Sequence, residues 1–143
     1  MRSGKTRVVL DTNILVSGIL FKDGNEAEIL SSAANGEIDV IISLDILEEF
    51  VEVISRPKFQ LTSEEVSAAN QFIVSFVKLT IPGRRVRTRI RDPEDLMLLE
   101  CVRQAKAHYL VTGDKDLLAL RRFDRTLIVT SSQFVRKLRS GRV

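Results

Sequence analysis

The sequence of 143 residues predicts a three-layer α/β/α fold, with a central parallel five-stranded sheet of strand order 3-2-1-4-5 flanked by helices. Short apolar runs alternate along the chain with segments of helical periodicity, as they do in βαβ units. In addition, Asp11 and Asp114 come directly after two of these runs. Side chains at the carboxyl ends of parallel strands face the crevice where strand order reverses, so both acids are expected there.

The first half of the chain supplies two predicted strands and four predicted helices. Ser43 can cap the third helix and Thr62 or Ser63 the fourth, because a hydroxyl oxygen can accept a hydrogen bond from the first turn. Gly36 suits the end of the second helix. The predicted strands are 7–11 and 38–42, and the predicted helices are 14–20, 25–35, 43–55 and 63–77.

The second half contains the strongest helix start in the chain. Asp92 suits the cap position, Pro93 the first helical position and Asp95 the third. A strand before this start is interrupted by Pro82 and Gly83. The predicted strands are 78–90, 109–112 and 126–130, and the predicted helices are 93–107, 114–121 and 131–139.

Composition indicates one globular domain over 1–143, with 1–6 as a flexible terminus. Hydrophobic residues make up 44% and charged residues 29% of the chain, and no apolar run reaches the roughly 18 residues of a membrane span. Asp11 interrupts the first apolar stretch, so a secretory core is missing. We therefore expect a cytoplasmic protein without membrane contact. One cysteine and one histidine exclude an internal disulfide and a conventional zinc site, so any metal is expected to be held by oxygen.

Carboxylates are the candidate oxygen ligands. Hard cations such as Mg²⁺ or Mn²⁺ prefer them, and phosphodiester hydrolysis uses these ions to activate water and offset charge. Asp11 and Asp114 would share a crevice if their strands are neighbours, although each could instead cap the helix that follows it. Glu48 and Glu49 both border the apolar face of their helix, so periodicity cannot choose between them. Asp95 could simply be a capping residue.

The arginines between 84 and 91 form the main basic segment. The chain has a net charge of +3 and a pI near 9.3, and clustered arginine favours a polyanionic partner. As a strand, this segment would place four arginines on one face, where they could bring phosphates to the metals. The same residues could protect an edge strand from pairing, or dock an acidic segment of a partner protein. The four are Arg85, Arg87, Arg89 and Arg91.

Three stretches in order, VVLDTNILVSGIL, SLDILEEFVEVISRPKF and RDPEDLMLLECVRQAKAHYLVTGDKDLLAL, resemble the PIN-domain family of metal-dependent ribonucleases, particularly its toxin–antitoxin branch. The resemblance implies a PIN-like fold, an RNA substrate, one or two Mg²⁺ or Mn²⁺ ions, a protein antitoxin and a homodimer. It favours Glu49 over Glu48, because the family's glutamate directly precedes an apolar residue. The implied catalytic and metal-binding residues are Asp11, Glu49, Asp95 and Asp114, and the implied accessory residues are Asp92, Asp116, Asn13 and Thr112.

Two other classes of function compete with a nuclease. An aspartyl-phosphate phosphatase would have a second aspartate two residues after the first, where this chain has Asn13, and a receiver's preceding acidic pair is also missing. A non-catalytic module could keep the fold and bind RNA or a partner through its arginines. The complete set of four acids argues against such a decayed site.

Overall fold

The computed structural model describes residues 4–82 and 86–143. Its sheet has the order β3-β2-β1-β4-β6-β5, and every pair is parallel except β5 with β6. The predicted five-strand order is therefore confirmed, with β6 as its fifth member and the two-residue β5 added at the edge. The strands are β1 Arg7–Leu10, β2 Asp39–Ser43, β3 Val77–Thr80, β4 Tyr109–Val111, β5 Arg122–Phe123 and β6 Thr126–Val129.

The helices lie close to their predicted positions, and a 3-10 turn at Pro57–Phe59 follows the third. Ser43 Oγ accepts a hydrogen bond from Ile46 N at 3.2 Å, and Thr62 forms a reciprocal capping box with Glu65. Both caps agree with prediction. The helices are α1 Thr12–Leu20, α2 Asn25–Ala34, α3 Leu44–Ile54, α4 Ser63–Phe76, α5 Pro93–Ala105, α6 Lys115–Leu120 and α7 Ser131–Arg139.

The central strands form the middle of the core. Val8, Leu10, Val40, Ile42 and Leu110 are fully buried, as expected for parallel strands that helices cover on both faces. Helix α5 packs on β1, β2 and β3, whereas α1 packs against α2 and α3. Each helix is too short or too polar, within 4–82 and 86–143, to cross a lipid bilayer.

The arginine-rich segment is where the strand prediction is wrong. Strand β3 ends at Thr80, and residues 86–91 lie in neither a strand nor a helix. Exposed and buried residues still alternate in this segment, because Arg87, Arg89 and Arg91 are exposed while Ile90 is buried. The alternation therefore comes from packing of the apolar residues against the core, and not from hydrogen bonds to a neighbouring strand. The predicted binding residue Arg85 lies outside the described residues.

Of the predicted flexible terminus 1–6, only 4–6 are described. Within that part, Thr6 O accepts a hydrogen bond from Asp39 N at 2.9 Å. This bond extends the contact between the β1 and β2 segments by one residue.

Candidate metal centre

The ends of β1 and β4 bring two of the predicted acids together. Leu10 is paired with Val111 in the parallel ladder, and Asp11 N–H donates to Val111 O at 3.0 Å. Asp114 follows three residues later, after Thr112 and Gly113. Because the two strands are neighbours and run in the same direction, both carboxylates lie at the same edge of the sheet.

Thr112 links these two acids. Its buried hydroxyl donates to Asp11 Oδ2 at 2.7 Å and accepts a hydrogen bond from Asp114 N at 3.0 Å. A hydroxyl that binds the side chain of one acid and the backbone N–H of the next fixes the relative position of the two acids. The structure thus places Thr112 where an orienting residue was predicted.

The alternative that these acids are only helix caps fits one of them. Asp11 occupies the cap position of α1, and although the Asn13 backbone N–H helps to lower the pKa of its carboxyl, no capping hydrogen bond of standard geometry forms. Asp114 does cap α6, because Oδ1 accepts from Asp116 N at 2.9 Å and Leu117 N at 3.0 Å. Both bonds use Oδ1, so capping does not engage Oδ2.

Helix α3 contributes Glu49. Its Oε1 accepts a 2.5 Å hydrogen bond from Thr12 Oγ1, and its side chain lines the same cleft as Asp11. Glu48 is exposed and does not line the cleft. Of the two glutamates that periodicity could not separate, Glu49 is the one that lines the cleft. Thr12 was missed, because a threonine between two motif residues gives no signal of its own.

Helix α5 contributes three acids from its first turn and cap. Asp92 is the cap, with Oδ1 accepting from Glu94 N at 2.8 Å and Asp95 N at 3.4 Å. The Asp95 side chain makes no capping hydrogen bond among the described residues, and Asp95 is only 6% exposed. Burying a carboxylate that makes no ion pair is unfavourable unless a proton or a metal neutralises it.

The cleft formed by these elements has a volume of about 280 Å³. Six carboxylates line it, and no lysine, arginine or histidine is among the described lining residues. The lining residues are Asp11, Asn13, Glu49, Asp92, Glu94, Asp95, Leu98, Gly113 and Asp114. All four predicted ligands, Asp92 and Asn13 are thus together, and Glu94 joins them as a residue to which the sequence analysis gave no role.

Asp116 lies beside this cleft. One carboxylate oxygen from each of Asp95, Asp114 and Asp116 falls within 4.8 Å of the other two. Such a set of oxygen donors, some buried and some exposed, fits Mg²⁺ or Mn²⁺, which favours a few carboxylates together with water. The chemistry of the donors therefore fits the ions that the sequence predicted.

The pKa values of three carboxyl groups in the cleft also reflect its excess of negative charge. Burial, followed by the charges of Asp114 and Asp92, raises the pKa of Asp95 to about 7. Burial also raises the pKa of Asp11, and this is opposed by the hydrogen bond from Thr112. A hydrogen bond with Glu49 raises the pKa of Glu94. In the absence of a cation, protons supply part of the missing positive charge.

The exposed arginines approach the cleft from one side. Arg89 and Arg91 line a groove of about 380 Å³ together with Asp95, Asp116 and residues of α6. Because Asp92 and Asp95 line both this groove and the cleft, the two are continuous. Arg87 is exposed but does not line the groove.

Comparison with known proteins agrees with this geometry. A family model described as PIN domain matches residues 7–116, which run from the first residue of β1 to the second residue of α6. The chain belongs to the PIN-domain family. PIN domains are generally nucleases, and the matched span includes all of the acids described above.

Two individual relatives extend this result. An uncharacterised protein of Methanocaldococcus jannaschii is 27% identical over 124 residues, which are 85% of this chain and 79% of that protein. The crystal structure of VapBC2 from Rickettsia felis, bound to a DNA fragment from their promoter, matches with a TM-score of 0.63. The match has 18% identity and covers 86% of this chain and 97% of that chain, so it supports the fold.

Proposed function

We propose that this protein is a metal-dependent endoribonuclease, with residues 1–143 as one PIN nuclease domain. The observation that carries the proposal is the cleft in which six carboxylates converge without a lysine, arginine or histidine among its described lining residues. A structural role would not require six like charges in one cleft. Metal-ion catalysis of phosphodiester hydrolysis does use carboxylates that hold cations at such a place.

In this proposal Asp11, Glu49, Asp95 and Asp114 hold one or two Mg²⁺ or Mn²⁺ ions. When bound, these ions activate water and offset negative charge on the phosphodiester. Asp92 and Asp116 are accessory acids, whereas Thr112 orients Asp11 by its 2.7 Å hydrogen bond. Asn13 is exposed at the mouth of the cleft, where its amide can contact RNA.

Two further side chains help to organise the site. Thr12 donates to Glu49 and so fixes a carboxylate that would otherwise be mobile on the surface of α3. Glu94 shares a hydrogen bond with Glu49, which raises the pKa of Glu94. We assign Glu94 the role of holding a proton until a cation enters, because binding a cation to carboxylates displaces protons from them.

The described arginines provide the proposed entry for RNA. Arg89 and Arg91 lie in the groove that joins the cleft, and Arg87 is exposed two residues earlier. Guanidinium groups bind phosphate oxygens well, so an RNA strand in this groove would place its backbone beside the carboxylates. Arg85 belongs to the same proposal on the basis of the sequence alone.

We further propose that the protein acts in the cytoplasm as the toxin of a toxin–antitoxin pair, and that it forms a homodimer. The toxin–antitoxin branch resembled by the sequence supports the first part, and the neighbouring Rickettsia felis structure is itself a VapBC2 complex. Exposed apolar side chains on and near the edge strand support the second part. Leu79 lies on β3 and Ile81 just after it, and both are exposed.

The test is cleavage of structured and unstructured RNA with Mg²⁺, with Mn²⁺ and with EDTA. Glu49→Gln should abolish metal-dependent cleavage, whereas its exposed neighbour Glu48→Gln should retain it. The two variants remove the same charge from the same helix, so they differ only in whether the changed residue lines the cleft. Equal activity of Glu49→Gln, Glu48→Gln and the parent chain would refute the proposed site and indicate a contaminating nuclease.

An inactive parent chain has a separate meaning. If Mn²⁺ binds to the parent chain and Glu49→Gln weakens it, yet no RNA is cut, a metal-binding module without ribonuclease activity is supported instead. Isothermal titration of Mn²⁺ into both variants distinguishes these cases.

A further inference from the structure

A second strongly charged surface lies away from the carboxylate cleft. Three grooves of about 490, 310 and 700 Å³ follow one another around the β5–β6 edge of the sheet. The first two share His108 and Arg125, and the second and third share Leu127. We call this continuous surface of three grooves the basic belt.

Charge is strongly separated between the belt and the rest of the chain. Its described lining holds nine lysine and arginine residues and one acidic side chain, Asp124, a net of +8. The whole chain has 22 basic and 19 acidic residues and a net charge of +3, so the remaining 13 basic and 18 acidic residues carry a net of −5. An uneven distribution of this size creates a local field that attracts polyanions.

Most of these cations are not used for holding the fold together. Arg103 is paired with Asp124, and Arg7 donates to Lys106 O. Five other arginines are exposed, and none of their side chains makes an ion pair or hydrogen bond within residues 4–82 and 86–143. They are Arg121, Arg122, Arg125, Arg136 and Arg142.

The belt begins close to the proposed active site and leads away from it. Asp114 caps the start of α6, and Arg121 follows the last residue of that helix. Six helical residues rise about 9 Å. From there the belt passes β6 to the amino ends of β1 and β4, where Arg7 and His108 lie. It therefore runs from the carboxyl ends of the strands, where the cleft lies, to their amino ends.

We infer that the basic belt binds the sugar-phosphate backbone of RNA beyond the scissile bond. This inference rests on the proposed function for the identity of the ligand. Binding of a phosphate backbone needs only accessible cations, and the five unpaired arginines supply them. Stable protein–protein interfaces generally add buried apolar or aromatic anchors to their charges. Among the exposed large hydrophobic side chains of the described residues, only Val143 lines the belt.

The test is equilibrium binding of a fluorescein-labelled 20-nucleotide oligouridylate in EDTA, which prevents metal-dependent cleavage, over a series of NaCl concentrations. The variant is Arg125→Ala with Arg136→Ala. The matched control is Lys22→Ala with Lys58→Ala, which removes two exposed positive charges outside the belt. For single strands each neutralised phosphate contributes about 0.7 to the slope of log K against log salt.

We expect the belt variant to lower the magnitude of this slope by about 1.4, equivalent to a roughly 25-fold loss of affinity at 0.1 M salt. The control should change neither value. Both arginines are exposed and unpaired, so thermal unfolding of the belt variant should match that of the parent chain. Equal slopes for the belt variant and the control would overturn the inference, as would tighter binding of polyglutamate than of the oligouridylate by the belt.

Cleavage assays separate this inference from the proposed function. On the 20-nucleotide RNA the belt variant should lose kcat/KM, whereas on a trinucleotide it should match the parent chain. Loss on both substrates would overturn the inference, because the arginines would then act at the cleft. A chain that never cuts RNA but shows the predicted salt slopes refutes the ribonuclease and supports an RNA-binding belt.

Discussion

Neutralising Asp95 is expected to stabilise the metal-free protein. The side chain is buried among Asp11, Asp92, Asp114 and Asp116, and these surroundings raise its pKa from 3.8 to about 7. A raised pKa means that the folded chain binds this proton more tightly than the unfolded chain does. Stability is therefore lost as the pH rises from about 4 to about 7, and the loss is complete above that range.

The size of the effect follows from the same pKa. Raising it from 3.8 to about 7 corresponds to about 4 kcal/mol, at 1.36 kcal/mol for each tenfold change in proton affinity. The carboxylate faces an open cleft, and solvent screening reduces this to about 2 kcal/mol. Asp95→Asn should therefore raise the Tm at pH 8 by about 6 °C for a domain of this size. At pH 5 the gain should fall below about 1 kcal/mol, because most of the charge is absent from the folded protein.

The assay is thermal unfolding by circular dichroism in EDTA at pH 5 and pH 8. The control is Asp23→Asn, which neutralises an exposed acid in the turn between α1 and α2 and should change the Tm little at either pH. Adding Mg²⁺ should then stabilise the parent chain more than Asp95→Asn, because the ion replaces the missing counter-charge. Equal destabilisation of Asp95→Asn at both pH values would refute the reasoning, since the carboxylate would then be making favourable contacts.

Three further outcomes are expected. Mn²⁺ binding should release more protons at pH 6 than at pH 8, since the pKa values of Asp95 and Glu94 are raised. Titration calorimetry in buffers of different ionisation enthalpy measures the number of protons released, and equal release at the two pH values would contradict the prediction. Thr112→Val should lower Mn²⁺ affinity by about 10- to 100-fold through loss of the Asp11 contact, and Thr112→Ser should restore it; no recovery would assign the loss to packing. Ile81→Glu should convert a dimer to a monomer in light scattering, because Ile81 is 82% exposed; an unchanged mass would place the interface elsewhere.

The sequence by itself determined the order of the elements and the parallel direction of the main strands. Apolar runs such as Val8-Val9-Leu10 can only be central strands when helices alternate with them, and parallel strands need such crossovers. Acids at the ends of two of those runs then predicted a shared crevice, on the condition that the two strands are neighbours. The alternation of elements depends on local periodicity alone, whereas the pairing of β1 with β4 is a contact between distant residues that the structure supplies.

The tertiary structure decided what local patterns left open. Glu48 and Glu49 border the same helix face, and only the packing of α3 beside α1 shows that Glu49 receives the hydrogen bond from Thr12. Glu94 enters the cleft because the start of α5 lies opposite Glu49. Sequence periodicity describes one element at a time, so it cannot report a meeting of two helices.

The arginine-rich segment shows the opposite limitation. Alternating Arg87, Thr88, Arg89 and Ile90 satisfies the two-residue period of a strand, yet no partner strand pairs with 86–91 among the described residues. A strand forms only when its backbone groups find a ladder. Alternation alone indicates that one face of the segment is packed and the other is exposed. Only the tertiary structure shows whether the segment is also paired in a sheet.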